Sequence, residues 1–321
     1  MKLEINHTTR YRYIEEVTDS INEVRLTPRT NYRQACYHHS ITTEPLAGLF
    51  SYEDFFGNRV YSFSISKPHK QLTIKTHSIV VTQEQDPQSE SSLPLPDELA
   101  ILRDSRFKNR YAEFLLATPY VDLSDQVRQY AGQIAHITKV GSVYNTVRGV
   151  TERIYQDFSY QPGTTNIATT AKDTLSLKHG VCQDFAHLML AICRAQGIPA
   201  RYISGYHFVG DLQGGHADFK QASHAWVEAF IPGIGWLGFD PTNNGTMNWR
   251  YVKLGHGRDY SDIVPIKGVY TGAGCSKMEV IVDVRKIEDE ASLSQSITTA
   301  ESNLRAYEGG SMGTKAAGAA Q

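Results

Sequence analysis

The 321-residue chain is poor in the features that mark specialised protein classes. It has four cysteines, Cys36, Cys182, Cys193 and Cys275, and no C-x-x-C. Four is too few for a disulfide framework in a chain of this length. Cys182 and Cys193 share one helical-looking segment, where a rise of ~1.5 Å per residue sets them ~16 Å apart, beyond bridging. The thiols therefore read as reduced and the expected compartment as cytoplasmic. No apolar run approaches the ~18 residues of a membrane-spanning helix. The opening MKLEINHTTRYRY lacks a basic region followed by an apolar one, so no signal peptide is expected. Lys plus Arg number 32 and Asp plus Glu 34, a net charge of −2. That balance offers no footprint for nucleic acid or an anionic membrane as partner. The twelve histidines show no H-E-x-x-H and no zinc-type Cys/His spacing. Glu288-Asp289-Glu290 is the tightest acidic run and reads as a solvated face. Neither a metal nor a cofactor is expected.

What is present is an ordinary globular composition, 40% apolar and 21% charged, long enough for about two domains. Residues 1–84 are rich in Val, Ile, Thr, Tyr and Phe with partial alternation, and predict a β-sandwich-like domain. Residues 85–97 are polar and Pro/Ser-rich and read as a linker, with Asp97 as a helix cap. Residues 98–288 form the main domain, ending in a strand over 278–284. Residues 289–321 are a small-residue, polar tail whose end is expected to be disordered. Within the main domain, Val143, Val147, Val150, Ile154 and Phe158 make one helical face. Thr170 and Asp173 match a capping box. The segment 182–196 is the clearest helix, stopped by Gly197 and Pro199. Strands follow over 200–208, 223–231 and 235–240.

Cys182 opens that helix. Unpaired amides and the helix dipole there favour a thiolate, and the same amides suit an oxyanion. A lone cysteine is equally often a small core hydrophobe. His224 and Asp240 lie on two β-like runs joined near Pro232-Gly233. With a three-residue loop over 231–233, paired positions sum to 464 and His224 faces Asp240 directly. A carboxylate that orients an imidazole, beside a thiol, is the arrangement nucleophilic thiol catalysis needs. A satisfied structural His–Asp pair is the alternative.

The stretch Gly180-Val181-Cys182-Gln183-Asp184-Phe185-Ala186-His187, with Arg194 to Tyr202, Ser204-Gly205-Tyr206, His224-Ala225-Trp226 and Asp240-Pro241-Thr242 after it, resembles the bacterial transglutaminase-like superfamily. Gly257 to Asp262 is similar to the later part of the same architecture, and residues 1–84 to the β-rich domain that precedes it. The resemblance implies an α+β fold with a papain-like, transglutaminase-like core, in which the Cys-bearing helix packs on an antiparallel sheet. It implies acyl transfer from a peptide or isopeptide amide through an acyl-enzyme on Cys182, with His224 and Asp240 as partners. Hydrolysis is the expected outcome, since transamidation needs a site that excludes water. Transamidation to an amine and non-catalytic peptide binding are the alternatives. The expected partner is a peptide or protein substrate.

Animal transglutaminases use a Trp upstream of the Cys, and none precedes Cys182 here. Tyr160 is the candidate second oxyanion donor. Gln183, Trp226, Tyr206, Asp259 and Tyr260 are further substrate-contact candidates, with Arg201 and Tyr202 near the sheet edge. Asp184 is expected to complement the helix dipole and His187 to pack in the core. A Gly-rich loop between His207 and His216 reads as a lid. Two motif matches are set aside. G-x-G-x-x-G at Gly233 precedes a strand, not a helix, and G-x-S-x-G at Gly309 lies in the tail.

Overall fold

The computed structural model describes residues 1–83, 93–138, 141–210 and 223–287. The expected linker and the Gly-rich lid fall largely, and the tail wholly, outside these residues.

One strand organises the N-terminal region. β1 (Lys2–Val24) is 23 residues long, and its first turns of sequence alternate between buried and half-buried positions. That period-2 pattern puts Leu3, Ile5, His7 and Thr9 on one inward face. The first part of β1 pairs antiparallel with β5 (His69–Thr82), which carries β2 (Gln34–Glu44) on its far side. The register breaks between Arg12 and Val17. Beyond that break β1 pairs with β4 (Arg59–Ile65), which in turn carries β3 (Phe50–Glu53). The strand thus passes from one sheet into another, and the two enclose a core of Leu3, Ile5, Val17, Val24, Leu72 and Ile74. Residues 1–83 are strand-rich, as expected.

The helical layer follows. It comprises α1 (Leu95–Arg103), α2 (Ser105–Arg110), α3 (Asp125–Thr138) and α4 (Val143–Asp157). Pro94 occupies the N-cap of α1 and Asp97 sits inside its first turn, so the helix begins earlier than expected and Asp97 is not the cap. The proline explains this, being tolerated where no intrahelical N–H bond is needed. A two-residue parallel pair, β6 (Ser159–Tyr160) and β7 (His179–Gly180), brackets α5 (Ala171–Leu177). Thr170 and Asp173 form the expected capping box of α5.

α6 (Cys182–Ala195) is the central helix. Every residue from Asp184 to Arg194 is buried. A helix that is apolar all round must be enclosed on all sides. α3, α4 and α5 cover one side and β9 (Ser223–Ile231) and β8 (Ala200–His207) the other. Leu188, Met189, Leu190 and Ile192 are fully buried there. Such side chains contribute roughly 1.5–3 kcal/mol each on burial. The sheet is antiparallel in the order β11-β10-β9-β8-β12, with β10 (Gly235–Asp240), β11 (Gly245–Thr246) and β12 (Tyr251–Gly257).

The C-terminal strands depart from the expected domain division. β13 (Ile266–Thr271) and β14 (Cys275–Ile287) add to the free edge of β1, on the side opposite β4 and β5. They satisfy backbone groups that β1 would otherwise leave unpaired. The N-terminal sheets are therefore completed by residues from the end of the main domain. The same core also receives Tyr206, Phe208, Val252 and Leu254, so the two regions pack as one body.

Candidate active site

The site forms where α6 and β9 begin and β10 ends. Gly180 and Val181 deliver the chain to Cys182, the first residue of α6, which is half-buried. Asp184 Oδ2 accepts from the Val181 amide at 2.8 Å and from Thr165 Oγ1 at 2.7 Å. Asp184 thus reaches back to cap its own helix, and its place in the first turn also fits the expected dipole role. Burial raises its carboxyl, against those two donors. The cap leaves no room at Gly180, where a Cβ would stand 2.7 Å from Asp184 Oδ2. The first-turn amides of α6 beside the thiol have no intrahelical partner by position.

His224 lies at the start of β9. Its Nε2–H donates to Asp240 Oδ2 at 2.7 Å. An ionised carboxylate only accepts, which puts the hydrogen on Nε2 and leaves Nδ1 for another partner. The Cys182 thiol lies close enough to the imidazole to help raise it. Burial alone would lower the His224 imidazole. The Asp240 charge and hydrogen bond, with the thiol's contribution, outweigh it and raise the imidazole above its ordinary value. Asp240 is fully buried. Burial would raise it too, but the His224 charge and the donors around it hold the carboxyl well below the usual range.

The register that brings His224 to Asp240 differs from the expected one. Gly235 pairs with Ile231 and Phe239 with Val227, so the loop is 232–234 and paired positions sum to 466. Asp240 falls level with Trp226, two residues from His224. Shifting a hairpin loop by one residue moves the register by two, which keeps every side chain on its face. The contact survives as a diagonal.

Three residues that sequence reasoning missed hold Asp240 through their shortest donors. They are Thr242 N at 2.9 Å to Oδ1, Asn243 Nδ2 at 2.7 Å to Oδ2 and Tyr251 Oη at 2.8 Å to Oδ2. The first two are a local Asx-type turn, legible in Asp240-Pro241-Thr242-Asn243. Tyr251 comes from β12, and no local signal announces it.

Of the other candidates, some gather at the site. Trp226 is buried and its ring stacks on His224 at 6.1 Å and 28°. Gly205 pairs with His224 across β8. A Cβ there would meet Trp226 Cη2 at 2.4 Å and Val252 O at 2.2 Å, so only glycine fits. Tyr160 pairs with Gly180, is 52% exposed, and has its phenol pushed up by burial and by the neighbouring Cys182 and Asp184. The phenol therefore stays a donor. Gln183 follows Cys182 in the first turn and is half-buried.

Others lie elsewhere. Tyr206 is buried and its hydroxyl is 2.8 Å from His7 Nδ1, in the interface with the N-terminal sheets, because its position on β8 alternates away from that of Gly205. Tyr202 is buried in the core of α6. Arg201 donates to Glu228 at 2.7 Å and lies over the Trp236 ring. Asp259 is buried and accepts from the Ser261 amide at 2.8 Å. The Tyr260 amide donates to His187 Nε2 at 3.3 Å. Asp259 and Tyr260 thus brace the flank of α6 at His187, one helical turn beyond Cys182, in place of the expected substrate contact. His187 is fully buried and stacks on Tyr120, as expected for core packing.

His207 was read from sequence only as a loop flank. It pairs across strands with Tyr251 and stacks on that ring at 4.3 Å. One ligand-type atom each from His207, His224 and Asp240 lies within 4.8 Å of the others.

A helix headed by a thiol, laid on an antiparallel sheet that presents a histidine bonded to a buried aspartate, defines a class of α+β folds. Comparison with known proteins places the chain within it. Residues 3–81 match the bacterial transglutaminase-like N-terminal region and residues 128–241 the transglutaminase-like superfamily. A protein of Mycobacterium leprae is 34% identical over 287 residues, covering 89% of this chain and 99% of its own. A crystal structure from Cytophaga hutchinsonii, named a "Putative Cysteine Protease", superposes with a TM-score of 0.69 at 25% identity, over 90% of this chain and 92% of that one. A Pseudomonas aeruginosa protein-glutamine gamma-glutamyltransferase is 43% identical over 68 residues, 20% of this chain and 10% of that protein. The chain belongs to the transglutaminase-like superfamily.

Proposed function

We propose that the protein is a thiol-dependent acyl-transfer enzyme that hydrolyses peptide or isopeptide amide bonds through Cys182, His224 and Asp240. The observation that carries this reading is the His224 Nε2 to Asp240 Oδ2 hydrogen bond at 2.7 Å, set beside a thiol that opens α6. Asp240 orients the ring, so Nδ1 takes the thiol proton to give a thiolate–imidazolium pair, and the sulfur then attacks the carbonyl. The carboxylate also stabilises the imidazolium formed. The α6 amide of Cys182 and the Tyr160 phenol are the proposed donors to the oxyanion. The imidazolium returns its proton to the leaving amine, and an acyl-thioester remains on Cys182. Water, deprotonated by His224, then releases the acid.

A second reading, transamidation to an amine, draws on the short match to the glutamyltransferase. Hydrolysis is preferred because Tyr160, beside Cys182, is half open to solvent, and transamidation requires water to be kept out.

The test is the rate of iodoacetamide modification at the four cysteines, read by peptide mass spectrometry across pH. Burial pushes the Cys36 thiol up to about 11 and the Cys193 thiol up to about 12, so neither competes at neutral pH. Cys182 is expected to react fastest, and His224→Ala to remove its advantage. Equal rates at Cys182 and Cys275 in the native protein would overturn the reading. Product analysis on a glutamine-containing peptide, with and without a small amine, separates hydrolysis from transamidation.

A further inference from the structure

We propose that His207 joins His224 and Asp240 in a binding site for a borderline divalent cation of the zinc type, and that an occupied site silences the thiol. The three side chains come from three different strands or strand ends. His207 closes β8, His224 opens β9 and Asp240 closes β10. One ligand atom of each lies within 4.8 Å of the other two. Two imidazoles and a carboxylate are a donor set zinc accepts, with a fourth position left to water. Tetrahedral nitrogen and oxygen ligands at about 2.0–2.2 Å from such an ion stand roughly 3.4 Å apart, so the His224–Asp240 pair opens from 2.7 Å and His207, within 4.8 Å of both, adjusts to meet the ion.

The acyl-transfer scheme has no task for His207. Among the described residues neither of its ring nitrogens has a hydrogen-bond partner. Its ring face is held against Tyr251 at 4.3 Å and 13°, and it stands 5.5 Å from the His224 ring. An imidazole fixed by stacking, with its nitrogens uncommitted and facing a bonded His–Asp pair, is prearranged to complete a ligand set. It is half-buried. Tyr251 and Asn243 continue to satisfy the carboxylate and hold it in place.

The cation takes the position of the hydrogen that His224 Nε2 shares with Asp240, and that proton leaves to solvent. Metal binding is therefore weakened by acid. The imidazole is then pinned by the ion in place of Asp240, and the orientation that presents Nδ1 to the thiol is lost. Cys182 is not a ligand in this arrangement. That separates it from an ion held by the thiol and one imidazole.

The experiment is calorimetric titration of the full chain with zinc chloride, repeated for Cys182→Ser, His207→Phe and His207→Asn. His207→Phe keeps a ring on Tyr251 and removes the ligand nitrogens, while His207→Asn guards against a packing artefact in the first variant. The expected result is one zinc per chain in the native protein, affinity within threefold in Cys182→Ser, and at least tenfold weaker binding in both His207 variants. Zinc is also expected to slow alkylation of Cys182 in the native chain and not in His207→Phe. Native-like affinity in the His207 variants, loss of the site in Cys182→Ser, or no zinc bound at all would each overturn the proposal. The silencing rests on the proposed role of the thiol. The titration needs no turnover, so the binding site and the acyl-transfer reading fail separately.

Discussion

Two histidines, His187 on α6 and His224 on the facing β9, each stand beside a buried aspartate, and the protein handles them in opposite ways. His224 donates directly to Asp240 at 2.7 Å and its imidazole is raised. His187 is pushed down to about 3, by burial first and by the Arg194 charge in addition, although Asp259 opposes both. The carboxylates explain the difference. Asp240 turns an oxygen to the imidazole. Asp259 spends its oxygen on the Ser261 amide and hydroxyl, and His187 Nε2 accepts a backbone N–H, which suits the neutral ring. Burial by itself makes a histidine inert. A direct, desolvated carboxylate contact reverses that. The comparison teaches that proximity of His and Asp in a fold does not by itself keep an imidazole protonatable, whereas a direct hydrogen bond between them does.

The largest expected effect follows from breaking one pair and not the other. Asp240→Asn keeps the shape but offers the wrong partner to Nε2. Loss of turnover on the order of 10⁴-fold is expected, as for tautomer-fixing carboxylates in general, with a matching fall in Cys182 alkylation. Asp259→Asn is expected to leave Cys182 alkylation within threefold. A large loss at Asp259 would show that the flank of α6 takes part in the chemistry.

The acid side of stability sharpens the same contrast. The folded His187 sits near 3 and His7 near 4, both lowered by burial, against 6.5 in the unfolded chain. Below pH 6.5 the unfolded chain binds protons that the folded one refuses, so stability falls as pH drops from 6.5 towards 4. At pH 5 each group costs about 2 kcal/mol on this basis. His224 has the reverse sign. Its raised folded value favours the folded state fully below 6.5 and loses that contribution only as pH rises. Urea denaturation at pH 7 and pH 5 is expected to show a drop of a few kcal/mol, reduced in His7→Gln. An unchanged midpoint would mean these imidazoles are not held neutral.

How much of this was legible depends on how local each feature is. Cys182 at a helix start, the Thr170–Asp173 cap and the His224–Asp240 relation are written in short segments, where spacing fixes geometry. The hairpin register was read two too low, yet the pair survived because period-2 alternation preserves faces. Tyr251, His207 and the role of β13 and β14 were not legible. They depend on which distant strand lies alongside, and neither the edge of β1 nor the strand next to β8 is encoded locally. Tyr206 shows the same limit. Its place in a motif suggested substrate, but alternation along β8 turned it to the partner sheet and His7.

The smallest expected effect concerns Tyr160. It has the right address, paired to Gly180 two residues before the thiol, and a phenol held protonated. A buried oxyanion donor contributes on the order of 10²–10³ in rate. Tyr160 is 52% exposed, however, and water competes for the same oxyanion when the donor is not enclosed. Tyr160→Phe is therefore expected to lower turnover about tenfold while leaving the alkylation rate of Cys182 unchanged, because alkylation forms no oxyanion. A fall in both rates would mean that the ring shapes the thiol's surroundings. No change in either would leave the amides of α6 to hold the oxyanion alone.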